Sequence, residues 1–366
     1  MELYHGPTCA FKDLALQLLP YLLTTSAKKV NDGKKTVILV ATSGDTGKAA
    51  LEGFKDVENT EIIVFYPSEG VSPMQKLQMT TQAGENVAVS AIKGNFDDAQ
   101  SGVKKIFTDK EVAKKLDENG MMFSSANSIN WGRLVPQIVY YISAYADLIE
   151  NGTIKNGDEV NVVVPTGNFG NILAAYYAKK MGIPFGKLIC ASNANNVLTD
   201  FLTSGTYDKN RDFYCTTSPS MDILISSNLE RLLYLIAGED SDKTKELMDG
   251  LKSSGKYTIT EDMKAHLADF AAGFASEKAT DDSIKSVYDR TGYVMDTHTA
   301  VAKNVYDKYV ARTGDTTKTV IASTASPYKF SGSVLKAIDS SAKCENEFEI
   351  IESFFKDMDL ENAQSV

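Results

Sequence analysis

Lys12 lies in apolar surroundings that are unusual for a lysine. It follows the turn dipeptide Gly6-Pro7 and a short apolar run, and it opens an apolar helix predicted over 14–23. Burial disfavours the charged form of an amine and therefore lowers its pKa. Because a neutral lysine amine can form a Schiff base with an aldehyde cofactor, this setting predicts a candidate reactive lysine.

A glycine-containing loop at 41–48 follows a predicted strand and opens a predicted helix. Backbone N–H groups at a helix N-terminus favour an anion, so this loop is a candidate ligand-binding segment. A plain turn capped by Ser43 or Asp45 explains the loop equally well. A nucleotide-binding P-loop is the rival interpretation, but the spacing is too short and Ala49 stands where Ser or Thr would bind magnesium.

A second loop of this kind ends another predicted strand and opens another predicted helix. Its central residues are Gly167, Asn168, Phe169, Gly170 and Asn171. Two glycines and two asparagines in five residues make a concave arrangement of N–H donors, which suits a phosphate monoester. An ordinary turn is the alternative, and it requires fewer donors than this segment offers.

Polar residues in two further segments are candidate ligand contacts. If a helix begins near Ser128, Arg133 can reach an oxyanion held by Asn127 and Ser128, because a guanidinium matches phosphate or carboxylate. On these residues alone, a helix cap with Arg133 in a surface ion pair is the simpler explanation. Ser323 or Thr324 could offer a hydroxyl to a ring nitrogen, although on these residues alone N-capping by Ser326 is the simpler explanation.

The elements that must position these residues alternate between strands and helices. The predicted strands are 36–42, 61–66, 87–92, 159–165, 187–191 and 318–322. The predicted helices are 46–54, 72–82 (with Ser72 as N-cap and Pro73 at the first position), 96–107, 168–181, 299–313 and 327–338, and 131–148 is long and apolar on one face. Such alternation predicts an α/β fold with parallel sheets flanked by helices.

The loops at 42–48, 166–171 and 323–326 each follow a predicted strand. Ligands of open α/β sheets bind at that carboxyl edge, so these loops and Lys12 are predicted to converge on one crevice. A polar stretch near 151 divides the chain into predicted domains 1–150 and 151–366. The charged residues 239–280 are predicted to form surface helices and loops without a strand.

Composition excludes several classes of protein. The chain has 366 residues, 43% hydrophobic content and a net charge of -10, which suits two domains and argues against nucleic-acid binding. No apolar run approaches the ~20 residues of a membrane span, and no signal peptide is recognisable. Four scattered cysteines, Cys9, Cys190, Cys215 and Cys344, predict free thiols in a reducing, cytoplasmic compartment. Three histidines without ligand spacing predict no metal site.

Five segments, in this order, resemble the motifs of one known family. They read HGPTCAFKD at 5–13, TSGDTG at 42–47, SSANSINWGR at 124–133, PTGNFGN at 165–171 and STASPYKF at 323–330. The segments 217–223 and 296–301 add to a resemblance to threonine synthase of the bacterial and fungal type. That resemblance implies a pyridoxal 5'-phosphate (PLP) enzyme of fold type II, the tryptophan synthase β-like class, with two open, mostly parallel sheets.

The resemblance also implies roles for individual residues. Lys12 matches the lysine that forms the Schiff base with PLP, the run 167–171 matches the loop that holds its phosphate, and Thr324 matches the hydroxyl facing its pyridine nitrogen. Asp45 matches a polar partner of the ring oxygen. The positions that match substrate-binding residues are Ser43, Thr46, Asn127, Ser128 and Arg133. The roles of His5 and His298 stay open.

The implied reaction converts O-phospho-L-homoserine and water to L-threonine and phosphate by γ-elimination and β-addition. A phospholyase releasing a keto acid and a PLP-binding protein without catalysis are the alternatives. Cys9 stands where Leu is common in the family, and Ser326 where some members have His. Members usually carry a further region before the segment that begins here at Leu3, so the resemblance predicts a shortened chain. The oligomeric state is left open between monomer and homodimer.

Overall fold

The chain forms two compact units in a computed structural model. The structure describes residues 1–30, 33–69, 71–94, 96–342 and 346–352. The N-terminal unit consists of residues 3–136 with 346–352, and the C-terminal unit consists of residues 1–2 with 137–342.

The N-terminal unit alternates helices and strands. Its strands are β1 (Lys35–Ala41), β2 (Thr60–Pro67), β3 (Val87–Ile92) and β4 (Met121–Ser125). Its helices are α1 (Lys12–Val30), α2 (Asp45–Phe54), α3 (Pro73–Thr80), α4 (Phe96–Thr108) and α5 (Lys110–Glu118), followed by a 3₁₀ turn, Trp131–Arg133. Helix α6 (Val135–Glu150) begins at the end of this unit, and the division between units falls in its first turn.

The sheet of this unit is parallel, with the order β3-β2-β1-β4. Successive side chains of a strand point to opposite faces, and a strand buried on both faces reads as a continuous apolar run. Accordingly Ile38 and Val40 of β1 pack in a cluster with residues of α1, α2 and α3. Val37 and Leu39 pack in a second cluster with residues of α4 and α5. The carboxyl edge of this sheet carries the loops that follow β1 and β4.

Helix α1 lies unusually close to helix α2. The two pack through Leu16 and Leu19 of α1 in the cluster that contains Leu51 and Phe54 of α2. A Cβ added at Gly53 would overlap the carbonyl oxygen of Leu16. Only glycine fits this position without moving α1.

The C-terminal unit continues the alternation. Its strands are β5 (Val160–Pro165), β6 (Phe185–Ser192), β7 (Thr206–Asp208), β8 (Lys256–Thr258), β9 (Phe270–Phe274) and β10 (Thr319–Ile321). Its helices after α6 are α7 (Gly170–Lys180), α8 (Val197–Ser204), α9 (Leu229–Ile236), α10 (Ser241–Ser254), α11 (Glu261–Ala265), α12 (Glu277–Thr291), α13 (Thr297–Thr313) and α14 (Ser331–Ile338), with 3₁₀ turns Pro219–Met221 and Pro327–Phe330. Helix α15 (Glu347–Ile350) belongs to the N-terminal unit.

The main sheet of this unit is also parallel, with the order β10-β5-β6-β9. Val301 and Val305 of α13 pack against Val163 of β5 and Ile189 of β6. Helices α7 and α8 also pack on these strands. Strands β7 and β8 form a separate antiparallel pair. Both four-stranded sheets confirm the predicted α/β class with parallel strands flanked by helices.

The predicted strands and helices are present with small shifts at their ends, except that the helix predicted over 14–23 extends to Val30 as α1. Ser72 caps α3 and Pro73 is its first residue, as predicted. The predicted helix over 327–338 begins as a 3₁₀ turn and continues as α14. The strand β4 was not predicted, because its sequence, MMFSS, is short and has no clear alternation.

The prediction of no strand at 239–280 is wrong. Strands β8 and β9 lie in this segment, and β9 is an edge strand of the main sheet, paired with β6. Its five residues, FAAGF, are small or aromatic and follow a long charged stretch. A strand this short has no measurable period, so the surrounding charge dominates the pattern.

Three further predictions concern the cysteines, membrane-spanning helices and the domain boundary. Cys9, Cys190 and Cys215 are free thiols, and Cys344 lies outside the described residues. No helix in the described ranges has the length and apolar character needed to cross a bilayer. The predicted boundary at 150 differs from the division between the units and stays a prediction.

Candidate active site

The predicted site residues fall into two groups, one in each unit. The N-terminal unit carries Lys12, the loop between β1 and α2, and the segment after β4. The C-terminal unit carries the loop between β5 and α7 and the segment after β10. Lys12 opens α1 before the first strand, and every other segment of the two groups follows the carboxyl end of a parallel strand, the edge where such sheets bind ligands.

Lys12 is the first residue of α1, and Asp13 shapes the chain before it. The Asp13 carboxylate accepts hydrogen bonds from the Thr8 N–H (2.9 Å) and the Thr8 hydroxyl. Cys9, in the resulting tight turn, has a φ of 58°. Asp13 therefore fixes the path of the chain into the lysine.

A carboxylate held by a neighbouring amide lies beside Lys12. The Lys12 Nζ is 4.0 Å from Asp45 Oδ2, and the two side chains are 13% and 4% exposed. Gln75 Nε2 donates to Asp45 Oδ1 at 2.9 Å, while Gln75 Oε1 accepts from the Ser72 N–H at 3.1 Å. The predicted apolar setting of Lys12 thus includes a buried carboxylate with a fixed orientation.

The loop between β1 and α2 is stabilised by its own first residue. The hydroxyl of Thr42 accepts hydrogen bonds from the N–H groups of Gly44 (2.9 Å) and Gly47 (2.8 Å). Gly44, the N-cap of α2, has a φ of 135° and provides no side-chain cap. Thr42 thereby takes the place of the predicted cap by Ser43 or Asp45. Ser43 and Thr46 lie in the same turn.

The segment after β4 differs from the prediction. Asn130 caps the 3₁₀ turn that ends at Arg133, so no helix begins near Ser128. The Asn127 amide bonds both backbone groups of Ala41, donating to the carbonyl at 2.9 Å and accepting from the N–H at 3.3 Å. This contact extends the pairing of β1 with β4 by a side chain.

Arg133 is buried, which contradicts the alternative of a surface ion pair. Its side chain packs inside the unit with the residue only 4% exposed, and Nη1 donates to the Ala126 carbonyl at 2.5 Å. Burial lowers the pKa of the Arg133 guanidinium to about 10. The guanidinium stays cationic at neutral pH even so.

The loop between β5 and α7 presents a run of backbone donors. None of the N–H groups of residues 167–172 donates to an acceptor in the part of the chain that the structure describes. Phe169, the N-cap of α7, has a left-handed conformation (φ 62°) and provides no side-chain cap. Backbone N–H groups without acceptors at a helix N-terminus attract negative charge, so this run fits an anionic ligand at the N-terminus of α7.

Neighbouring segments hold this loop from behind. The Ser226 hydroxyl donates to the Gly167 carbonyl at 2.7 Å, and Asn228 Nδ2 donates to the Asn168 carbonyl at 3.0 Å. Both contacts engage carbonyl oxygens and leave the N–H groups available. The loop is therefore held by its carbonyl groups, and its N–H groups stay available to a ligand.

Asn171 is oriented by a tyrosine of helix α6. The Tyr141 hydroxyl donates to Asn171 Oδ1, and the buried Asn171 Nδ2 has no partner among the described residues. Burial raises the pKa of the Tyr141 phenol well above its usual value, so the phenol keeps its proton to donate. Asn171 thus offers a further fixed donor at this loop.

The segment after β10 carries the predicted partner of a ring nitrogen. Thr324 is 6% exposed and follows Ser323, whose hydroxyl is 2.9 Å from the Thr299 hydroxyl. Ser326 caps the next 3₁₀ turn by accepting from the Tyr328 N–H, as the simpler interpretation predicted. Capping by Ser326 leaves the Thr324 hydroxyl free of that structural task.

Sequence reasoning missed several residues that support the site. They are Gln75, Tyr141, Ser226 and Asn228. For Gln75 a signal exists, because Ser72 and Gln75 have the S-x-x-Q spacing of a capping box. The others act across long sequence separations, for which a single sequence gives no signal.

The residues of each unit, taken by themselves, suit one part of a phosphate-bearing organic cofactor. A loop of free N–H groups and an amide fits a phosphate, a buried hydroxyl fits a ring nitrogen, and a lysine amine fits an aldehyde. No group of three or more His, Cys, Asp or Glu side chains in the described ranges is arranged to hold a metal ion.

Comparison with known proteins identifies this cofactor. Residues 1–324 match the family model described as pyridoxal-phosphate dependent enzyme, so the cofactor is PLP and the fold is type II. Residues 299–364 match the model described as threonine synthase, C-terminal. The chain belongs to the threonine synthase family.

Individual relatives support this assignment. The chain is 46% identical over 346 residues to threonine synthase-like 1 of Homo sapiens, covering 92% of this chain and 46% of that protein. It is 40% identical over 359 residues to threonine synthase of Saccharomyces cerevisiae, covering 92% and 68%. The structure is similar to PLP-bound threonine synthase from Brucella melitensis, with a TM-score of 0.84, 41% identity and coverage of 96% and 73%. The chain thus spans less than half the length of the human relative.

Proposed function

We propose that the chain converts O-phospho-L-homoserine and water to L-threonine and phosphate. The observation that carries the proposal is the arrangement of Lys12, Asp45 and Gln75. An amine 4.0 Å from a carboxylate of fixed orientation can hold a proton and release it. The similarity to threonine synthases of yeast and Brucella melitensis supports this particular reaction. The cytoplasmic location stays a prediction.

The C-terminal unit contributes cofactor binding. In this proposal the N–H groups of 167–171 and the Asn171 amide bind the cofactor phosphate, and the Thr324 hydroxyl faces the pyridine nitrogen. Pyridoxal phosphate supplies an electron sink for a substrate carbanion when it is bound. Phe169 has a left-handed conformation, and a left-handed residue among right-handed ones is typical of backbone arrangements that bind anions.

The N-terminal unit contributes proton transfer and substrate binding. Lys12 would hold the cofactor through Nζ, and once the substrate amine has taken its place on the cofactor, the Nζ amine would accept the proton from the substrate Cα. Asp45 stabilises the ammonium that forms and faces the ring oxygen. Arg133 provides a planar cation for an anionic group of the substrate, and the N-terminus of α2 at Ser43 and Thr46 provides donors.

Asn127 contributes mainly by positioning its neighbours. Asn127 holds the end of β4 against Ala41 with both ends of its amide, which places Ser128 and Arg133. Its predicted contact with substrate stays a prediction, as does that of Ser128.

The test incubates the purified chain with PLP and O-phospho-L-homoserine and measures threonine, phosphate, keto acid and ammonia. We expect threonine and phosphate in equal amounts. A keto acid with ammonia would instead support the phospholyase alternative. A cofactor absorbance change without any product would support PLP binding without catalysis.

A matched pair of lysine variants tests the proposed role of Lys12 beside Asp45. Lys12→Ala removes the proposed base, and turnover should fall at least about 1,000-fold. Lys35 is the control, because it also pairs with a carboxylate (Glu61, 2.8 Å) but lies at the opposite, amino end of β1. Lys35→Ala should retain turnover, and equal activity of both variants would refute the assignment of Lys12.

A further inference from the structure

Asp296 lies at the junction of two hydrogen-bonded arms inside the C-terminal unit. It is 1% exposed and caps helix α13, accepting from the N–H groups of His298 (2.9 Å) and Thr299 (3.0 Å). Each carboxylate oxygen also bonds one side chain. Oδ2 is 2.7 Å from His298 Nδ1, and Oδ1 accepts from the Thr299 hydroxyl.

The first arm leads to the phosphate-binding loop. The Ser220 N–H donates to His298 Nε2 at 3.2 Å. The Ser220 carbonyl oxygen would be 3.0 Å from a Cβ added at Gly167, so the 3₁₀ turn Pro219–Met221 lies directly against the loop. His298 thus supports Gly167 through one intervening turn.

The contacts of His298 fix its protonation. Because Nε2 accepts from a backbone N–H, it carries no proton, and the single ring proton lies on Nδ1 and points at Asp296. The ring is 3% exposed and packs on Phe330 at a centroid distance of 4.8 Å. Asp296 therefore selects the tautomer that can hold the Ser220 turn.

The second arm leads to the segment after β10. The Thr299 hydroxyl bonds Asp296 and is 2.9 Å from the Ser323 hydroxyl, and Ser323 directly precedes Thr324. The Asp296 carboxylate thus supports two segments of the proposed cofactor site. One is the phosphate loop, and the other contains the proposed partner of the pyridine nitrogen.

We propose that Asp296 and His298 are positioning residues for the cofactor, with His298 supporting its phosphate and Thr299 supporting its ring nitrogen. The inference rests on the proposed roles of 167–171 and Thr324. The inference predicts different effects for the two arms. A substitution in the first arm should weaken binding of the cofactor phosphate, and a substitution in the second arm should change the environment of the pyridine ring.

The experiment measures the affinity of the full chain, freed of cofactor, for PLP and for pyridoxal, which lacks the phosphate. His298→Phe keeps ring volume but removes both nitrogens, and we expect PLP affinity to fall about 10-fold while pyridoxal affinity stays constant. His298→Gln can place an acceptor near the Ser220 N–H and should restore part of the PLP affinity.

Thr299→Val tests the second arm. It should lower the affinities for PLP and pyridoxal by the same factor and shift the absorbance band of the bound cofactor. Asp240→Asn is the control for helix capping, because Asp240 caps α10 by accepting from two N–H groups at 2.9 Å and is exposed. It should change neither affinity nor the absorbance band.

The outcomes separate this inference from the proposed function. If both His298 variants keep the wild-type ratio of PLP to pyridoxal affinity, the positioning role is refuted while PLP binding stands. A parallel loss of both affinities with lower thermal stability in the His298 variants would also refute it, since that indicates a purely structural role. If the wild-type chain bound PLP no better than pyridoxal, the proposed phosphate loop itself would be wrong.

Discussion

The loop between β1 and α2 and the loop between β5 and α7 are built alike but stabilised differently. Both end a buried parallel strand, and both open a helix that lacks a side-chain cap. In the first loop, Thr42 accepts two of the N–H groups within the loop itself. In the second, the N–H groups of 167–172 have no acceptor among the residues that the structure describes, and Ser226 and Asn228 donate to its carbonyls instead.

The difference separates a loop that is complete by itself from one that a ligand completes. A donor satisfied by a side chain gains little from an anion, whereas a buried donor without an acceptor gains a great deal. The loop after β5 is therefore suited to a tightly held cofactor. The loop after β1, with fewer free donors, is suited to a substrate that must leave.

The largest effect should come from a negative charge placed in the second loop. Asn171→Asp keeps the shape and the bond from Tyr141, and its carboxylate can accept the loop N–H groups that would bind phosphate. Two unit charges ~4 Å apart repel by about 4 kcal/mol near a protein surface, so PLP affinity should fall about 1,000-fold.

Ser43→Asp is the matched change in the first loop. We expect it to raise the KM for O-phospho-L-homoserine and to change PLP affinity little, as measured by absorbance titration. Equal losses of PLP affinity in both variants would remove the distinction between the loops.

The second prediction compares glycines of the two loops. Gly44 has a φ of 135°, and an added Cβ would overlap the Gln75 amide, so Gly44→Ala should cost about 3 kcal/mol of unfolding free energy. At Gly170 a Cβ would be 3.2 Å from Asn228 Nδ2, and φ is not positive. Gly170→Ala should therefore lower stability less. Chemical denaturation measures both, and a larger loss for Gly170→Ala would contradict the prediction.

The third and smallest effect concerns the hydroxyls that begin the loops. Thr42→Val leaves the N–H groups of Gly44 and Gly47 without their hydroxyl acceptor and should cost about 2 kcal/mol. The Thr166 hydroxyl donates to the Val164 carbonyl at 2.7 Å and also bonds the Cys190 thiol, but in the described residues it accepts from no N–H group of its loop, so Thr166→Val should cost about 1 kcal/mol or less. The denaturation midpoints of the two variants test this prediction. An equal shift in both variants would show that the Thr42 hydroxyl stabilises its loop no more than the Thr166 hydroxyl does.

Elements marked by strong local signals could be predicted from the sequence. Continuous apolar runs identified β1 and β5, and Ser72-Pro73 identified the start of α3. Short strands such as β4 and β9 could not be predicted, because they depend on pairing with distant neighbours rather than on their own pattern.

The residue types of the site could also be predicted, but their environment could not. The left-handed conformation of Phe169 is uncommon outside glycine and has no sequence signal. The burial of Arg133 depends on the 3₁₀ turn that forms in place of the expected helix start. The carboxylate beside Lys12 belongs to Asp45, which lies 33 residues further along the chain. Such features arise from tertiary packing.

Gly53 gives the position of Lys12 a remote determinant. The Leu16 carbonyl oxygen, about one turn after Lys12 in α1, would overlap a Cβ added at Gly53, so this contact sets how closely α1 approaches α2. A side chain at Gly53 would displace this first part of α1 and with it the amine at its first residue. In a mutational screen, substitution of Gly53 would then lower activity while the protein stays folded, although this residue contacts no reacting atom.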